Sequence, residues 1–514
     1  MSSVDSIIVG AGHNGLVCAA YLAQKGQRVI VLEAADEVGG LAGGREFHPG
    51  FRASIAHSIS HFSTKIAAEL KLASHGYTVT GESTPLIGLA AGRDPVIING
   101  RDITGVGNDD RTAYAAYVDE LEHYAKALAP AWTEIIPRIG SQRFSEVMTF
   151  AKIGLRLRRL GKQAMAEFLR VASLPARDLV DERFDDDLLK ALLCWDGLIG
   201  SRMAPRSPNS AVLAMLYRMS EGNAGQHQIA AGGTSALVNA LRAAAEAAGA
   251  EIRTGCSVEN ITIAGDTDGL SATGVRLRDG ESLAADNVIS AVDSKRTFLN
   301  LVGVQYLDIE FSNRIRRIRT DGLVGKLHLA LDSLPEFRGV DAPNGRFIIA
   351  DTMDAIEFAF DDSKYGRPST DPVIECVIPS LNDPQAAPDG KHVLSAHVMY
   401  VPYRHKDGWS ESTRTEIQNA AINAIERVAP KLRDSIVHAE FLTPADIESQ
   451  YGATGGHWHH GEFAMDQMLM MRPTYGAAQY STPIPGLFLA SAGSHPGGDL
   501  VGAAGHNAAQ AVLR

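Results

Sequence analysis

Three glycines near the start of the chain carry its clearest chemistry. Gly10, Gly12 and Gly15 stand at the spacing G-x-G-x-x-G, after the apolar run Ser6-Ile7-Ile8-Val9 and ahead of a helix of small residues. The first glycine permits a tight turn, the second lets backbone amides approach a pyrophosphate, and the third lets helix pack on strand. His13 and Asn14, inside the turn, fall where the helix N-terminus offers free N–H groups to phosphate. Glu33 ends the next apolar run, Val29-Ile30-Val31-Leu32, 18 residues beyond Gly15. That places a carboxylate to accept from a ribose 2′-hydroxyl and to repel a 2′-phosphate, which argues against NADP.

Other reactive side chains sit far away. Gly455-Gly456-His457-Trp458-His459-His460-Gly461 offers three imidazoles, followed by Glu462. Adjacent histidines in a glycine loop do not converge on one ion, and no i, i+4 helical pair is present, so no metal site is predicted. His460 and His495 are the two candidates for moving a proton, since imidazole titrates near neutrality. Either also suits a loop-buttressing role. His57, His61 and Arg52 are candidates for a cavity mouth.

The elements that must position these groups come in three separated blocks. In the first, Gly39-Gly40 and Gly43-Gly44-Arg45 follow the ribose acid, with Arg45 a cation for phosphate or a planar ring. In the second, Ala231-Gly232-Gly233-Thr234 opens an alanine-rich helix over residues 235–248. Strand Glu251-Ile252-Arg253, a further strand holding Val258, a meander, and strand residues 287–291 follow. In the third, apolar residues 486–490 lead into a Gly/Pro loop (Ser491 to Gly498) and a closing helix predicted over 501–513. Asp499 and Leu500 fall at that helix's start, where N–H dipoles favour a group gaining negative charge, as the N1–C2=O edge of a flavin does on reduction. A chain that returns three times to one nucleotide domain suits extended FAD better than compact NAD.

These blocks resemble the glutathione-reductase-type FAD fold of the amine oxidase and phytoene desaturase superfamily, most closely its phytoene-dehydrogenase-like flavoproteins, which include the pyridine nucleotide-disulphide oxidoreductase domain-containing proteins. The matching stretches are residues 7–45, 179–207, 231–297 and, most sharply, 454–513. There Gly455-Gly456, His460-Gly461, Asp466-Gln467, Arg472-Pro473 and His495-Pro496-Gly497-Gly498 follow the family pattern in order. Asp499 departs from the carotenoid desaturases, whose pattern continues with another glycine, and this counts against a carotenoid substrate. The resemblance implies that Glu33 holds the adenosine ribose, that Gly10, Gly12, Gly15 and Arg45 face the pyrophosphate, and that Val258 presents its backbone to adenine. It also implies that Ser494, Pro496, Gly497, Gly498, Asp499, Val501 and Gly502 lie along the ribityl chain and isoalloxazine.

The expected fold is α/β. A Rossmann FAD-binding domain (1–60, 226–300 and 481–514) is interleaved with an α+β substrate domain (61–225 and 301–480). The net charge of −12 excludes a nucleic-acid partner, which needs clustered cations. Four scattered cysteines, without a C-x-x-C pair, fit a reducing compartment. No apolar stretch is long enough to span a bilayer, and the first strand leaves no room for a leader, so a cytoplasmic location is expected. Residues 148–172 interrupt the acidic character: apolar positions alternate with Lys152, Arg156, Arg158, Arg159, Lys162 and Arg170. That pattern suits either peripheral contact with an anionic membrane or an ordinary helix with its apolar side turned inward.

Flavin dehydrogenation needs a C–H held near the flavin and water kept out, with no protein nucleophile. The expected activity is therefore removal of hydride and proton from a hydrophobic small molecule, with oxygen or a quinone as final acceptor and no obvious protein acid–base pair. The alternatives are an amine oxidase, with Trp458, Tyr475 and Tyr480 as aromatic-cage members, a saturase or isomerase, and a non-catalytic prenyl- or lipid-binding protein on the same fold.

Overall fold

The computed structural model describes residues 4–140, 143–208, 210–266 and 269–514. One parallel sheet gathers the three distant blocks. Its strand order is Glu251–Arg253, Val29–Leu32, Val4–Val9, Ser282–Ser290 and Leu487–Leu489, every neighbouring pair parallel. The strand residues buried on each side are apolar because both faces are covered: Ile7, Ile30, Leu32 and Val288 by strands Val258–Asp266 and Gly269–Leu277 and helix Ile309–Arg317, and Ile8, Val29, Val31 and Ile289 by three helices. Helices His13–Gln24, Gly233–Ala247 and Ala503–Val512 pack there, with Leu16, Val17, Leu237, Leu241 and Ala508 fully buried. Parallel strands need crossovers, and the chain uses its longest excursions as crossovers. The closing helix starts at Ala503 behind Gly502, two residues later than expected, so Asp499 lies in the preceding loop.

A second sheet of eight strands lies outside this layer. Its order is Ile436–Leu442, Val324–Leu331, His392–Met399, Ile374–Val377, Arg346–Ile349, Leu86–Leu89, Val96–Asn99 and Asp102–Thr104. One face packs Leu327, Leu329, Phe347, Ile374 and Leu394 against helix Glu411–Glu426. Of the alternate residues, Glu375 and His397 line a cavity shared with the 39–45 glycine loop, Ala330 and Val393 pack on Phe51, and Ile348 joins the helical core. Val79–Thr84 and His227–Ala230 form a separate two-stranded sheet, and within the eight-stranded sheet Leu86–Leu89 runs parallel to Arg346–Ile349. Residues 361–364 complete helix Met353–Lys364.

Residues 148–172 belong to two helices, Phe144–Arg159 and Lys162–Val171, broken at Gly161 with φ +87°. Among the described residues, no helix is long and apolar enough to cross a membrane.

Candidate active site

A cavity of about 790 Å³ starts at the first glycine turn. Gly10 takes φ +99°, and a Cβ on Gly15 would lie 2.2 Å from the Gly10 carbonyl oxygen, so both must be glycine for the turn itself. Gly12 is different. Its backbone (φ −67°, ψ 168°) suits any residue, and a Cβ there would meet nothing within 4 Å. Its side-chain space is cavity, left open where a pyrophosphate would lie against the helix N-terminus. Glu33 accepts from the N–H of Ala11 at 2.7 Å and of Ala35 at 3.0 Å. Each oxygen keeps a lone pair for a ribose hydroxyl. The residues present therefore fit an adenine dinucleotide.

The other expected cofactor residues divide into those at the cavity and those behind it. His13, Asn14, Gly39, Gly40, Arg45, Val258, Asp499 and Leu500 all line it. Burial pushes His13 down to about 4 and leaves its Nε2 without a partner, a polar atom available to a ligand. Asn14 also accepts from the Gly505 N–H at 3.3 Å, tying the first helix to the last. Arg45 is not a free cation: it pairs with Glu440 and donates to the Tyr451 hydroxyl at 3.1 Å. Ser494, Pro496, Gly497, Gly498, Val501 and Gly502 do not line the cavity; they form the back of the loop whose tip presents Asp499 and Leu500. A Cβ on Gly498 would lie 2.3 Å from the His459 ring, and one on Gly502 would press on Phe62.

The two histidine candidates separate in the same way. His460 lines the cavity in a left-handed conformation (φ +54°), its Nδ1 unpartnered. His495 is fully buried outside it, neither ring nitrogen bonded, and burial pushes it down to about 3. Neutral and cut off from the cavity, His495 is not placed to relay a proton; its carbonyl accepts from Tyr480 Oη at 2.5 Å. His459 lines the cavity and bonds Asp499 through Nε2 at 3.1 Å, while His457 is packed behind. Arg472, almost completely buried, holds this loop by donating to the carbonyls of His459, Gly461, Glu462, Gln467 and Ala492. Of the three aromatic-cage candidates only Trp458 lines the cavity. Tyr480 is buried elsewhere and Tyr475 is 54% exposed at the surface.

At its far end the cavity meets a wall of buried titratable groups, which corrects the expectation of a site without an acid–base pair. His57, Glu375 and His397 line it, with Arg218, His227 and Asp499 nearby. Lys326, His397 and Glu375 stand opposite one another on three adjacent strands, so the sheet register alone aligns them. His57 Nδ1 lies 2.8 Å from Lys326 Nζ, and its Nε2 lies 3.3 Å from Glu375. His397 stacks on the His57 ring at 3.6 Å. Arg346 makes paired bonds to Glu375 (3.1 and 2.9 Å) and to Asp196 (3.2 and 2.6 Å), and Trp195 Nε1 donates to Glu375 at 2.7 Å. Burial pushes Lys326 well below its usual range and His57 down to about 4, whereas the Arg346 guanidinium holds Glu375 ionised against its own burial. One guanidinium between two carboxylates leaves the cluster one negative charge in excess, which a proton on the His57–Lys326 pair would neutralise. His57, Glu375 and His397 are close enough to share an ion. All three are already engaged, His57 by Lys326, Glu375 by Arg346 and Trp195, and His397 by the Ile55 carbonyl.

Sequence reading placed His57 only at a mouth and missed the rest of this wall. The signal was a polar alternation, Lys326-x-His328 and Ser395-x-His397, within strands otherwise apolar on both faces.

With this geometry in hand, comparison with known proteins is unambiguous about class. Residues 149–513 match the flavin containing amine oxidoreductases, and residues 8–70 match the NAD(P)-binding Rossmann-like domain. The chain belongs to the flavin containing amine oxidoreductase family and is an FAD-dependent oxidoreductase. Its relatives include the mouse pyridine nucleotide-disulfide oxidoreductase domain-containing protein 2, 33% identical across 99% of this chain and 93% of that protein. A lycopene-forming phytoene desaturase from a Paracoccus species is 25% identical across 99% of this chain and 97% of its own. The crystal structure of an oxidoreductase from Methanosarcina mazei shares the fold with a TM-score of 0.60, at 16% identity and 99% coverage of both chains.

Proposed function

We propose that this protein dehydrogenates a small, largely hydrophobic molecule whose reacting carbon neighbours a polar group, passing the electrons on to oxygen or a quinone. The observation that carries this reading is the continuity of one cavity. It begins at the nucleotide turn, passes the 39–45 loop, and ends on the His57–Glu375 wall. When bound, FAD supplies the two-electron acceptor; the hard redox chemistry is the cofactor's. Gly12, His13, Glu33 and Val258 would hold the dinucleotide, with the Asp499–Leu500 loop tip lining the same cavity. Val38, Leu41, Ile199 and Trp458 give the substrate an apolar contact surface and exclude water from it.

Burial weakens the hold of the His57–Lys326 pair on a proton, and ionised Glu375 stabilises the pair when it takes up the one that leaves as the substrate is oxidised. His460 presents its free Nδ1 from the opposite side. A second reading, oxidation of an amine, is favoured by Trp458, which lines the cavity edge-on to His397 at 4.1 Å and offers an indole ring to a cationic substrate nitrogen.

The test is anaerobic mixing of the holoenzyme with panels of apolar alkenes, alcohols and amines. A substrate bleaches the oxidised flavin band and yields a product two hydrogens lighter. Bleaching by amines alone would establish the second reading. A colourless purified protein that takes up no flavin would remove both and leave a binding protein on the same fold.

A further inference from the structure

Helix Phe144–Arg159 is mounted with an apolar stripe facing solvent. Phe144, Val147, Met148 and Leu155 recur at i, i+3, i+4 and i+11, with Ala151 between them, and so share one side of the helix. These four large side chains are 79%, 46%, 41% and 48% exposed. The other side supplies the packing: Leu157, with Leu160 just beyond, contacts the core. Lys152 pairs with Glu134, and Arg156 donates to the Lys126 carbonyl. The helix is thus held in this orientation by its own inward contacts. Its larger apolar side chains therefore face outward while Leu157 and Leu160 face the core.

The stripe ends in cations. Arg158 and Arg159 continue the same side, Lys162 follows, and all three are exposed without an ion pair among the described residues. In a chain of net charge −12, this corner is one an anionic surface attracts while much of the molecule is repelled by it.

We propose that this face of helix Phe144–Arg159 docks on an anionic lipid bilayer, with Phe144, Val147, Met148 and Leu155 entering the interface and Arg158, Arg159 and Lys162 at the headgroups. A single apolar stripe bordered by cations has the composition of an interfacial helix.

The test is co-sedimentation of the full-length, FAD-loaded protein with phosphatidylcholine vesicles, with and without phosphatidylglycerol. Each cation near an anionic surface contributes about a fivefold gain, so three give roughly a 100-fold preference for the phosphatidylglycerol vesicles at low salt, lost at high salt. Arg158→Glu with Arg159→Glu lowers that partition by at least about 25-fold. Val147→Gln with Leu155→Gln lowers binding while leaving flavin absorbance unchanged, since both side chains are exposed. Equal partition onto both vesicle types, or wild-type partition by both double variants, would overturn the proposal. So would a concentration-dependent dimer that Val147→Gln with Leu155→Gln dissolves, without vesicle binding by the wild type.

Discussion

Gly12→Ala separates what the fold needs from what the cofactor needs. At φ −67° and ψ 168°, with nothing within 4 Å of the added methyl, the cofactor-free protein has no reason to lose stability. Replacing a glycine in a compatible conformation adds about 0.4–1 kcal/mol by restricting the unfolded chain. The methyl instead occupies the space through which backbone N–H groups reach a pyrophosphate. Losing two charge-assisted hydrogen bonds, each worth about 1.5–3 kcal/mol, costs about 3–6 kcal/mol of binding. At about 1.4 kcal/mol per decade this raises the Kd for FAD by roughly two to four orders of magnitude. Gly15→Ala makes the contrast: its Cβ falls 2.2 Å from the Gly10 carbonyl oxygen, so it destabilises the protein with or without cofactor by about 1–3 kcal/mol or more. The assay is FAD titration by fluorescence quenching, alongside denaturant unfolding of the cofactor-free protein. A Gly12→Ala protein that binds FAD with wild-type affinity would refute the placement of the pyrophosphate and the reading of the cavity built on it.

Gly498→Ala drives a methyl into the His459 ring and breaks the His459–Asp499 bond, so flavin occupancy after gel filtration should fall although Gly498 never touches the cavity. Removing the buried carboxylate in Glu375→Ala strips acceptors from Arg346, Trp195 and His57; a loss of about 3–5 kcal/mol is expected in chemical denaturation, towards the lower end because Asp196 still pairs Arg346. Stability should also decline in mild acid. Burial holds His13, His57 and His61 down at about 4 and His227 and His495 at about 3, all below the unfolded value of about 6.5. Their neutral forms cost nothing above about pH 6.5 and progressively destabilise the fold as pH falls toward 4, by about 2 kcal/mol per histidine at pH 5. Urea unfolding midpoints that stay level between pH 7 and pH 5 would contradict that burial.

What the sequence by itself determined was local. A strand, a G-x-G-x-x-G turn and an acid after the next strand sit within about thirty residues, so the nucleotide turn is set by backbone sterics and hydrogen bonds over a short span. The return of residues 251–253, 282–290 and 487–489 to that sheet was legible for a related reason: parallel strands buried on both faces read as apolar runs even at long separation. Tertiary structure decided the rest. His57 and Lys326 lie 269 positions apart and meet only because antiparallel register sets Lys326 opposite His397, and His397 opposite Glu375. His495 and His460 look alike in sequence, yet packing seals one and opens the other to the cavity. The helix at 144–159 carries apolar residues on more than one side, and periodicity cannot say which side turns inward; the contacts of its neighbours do.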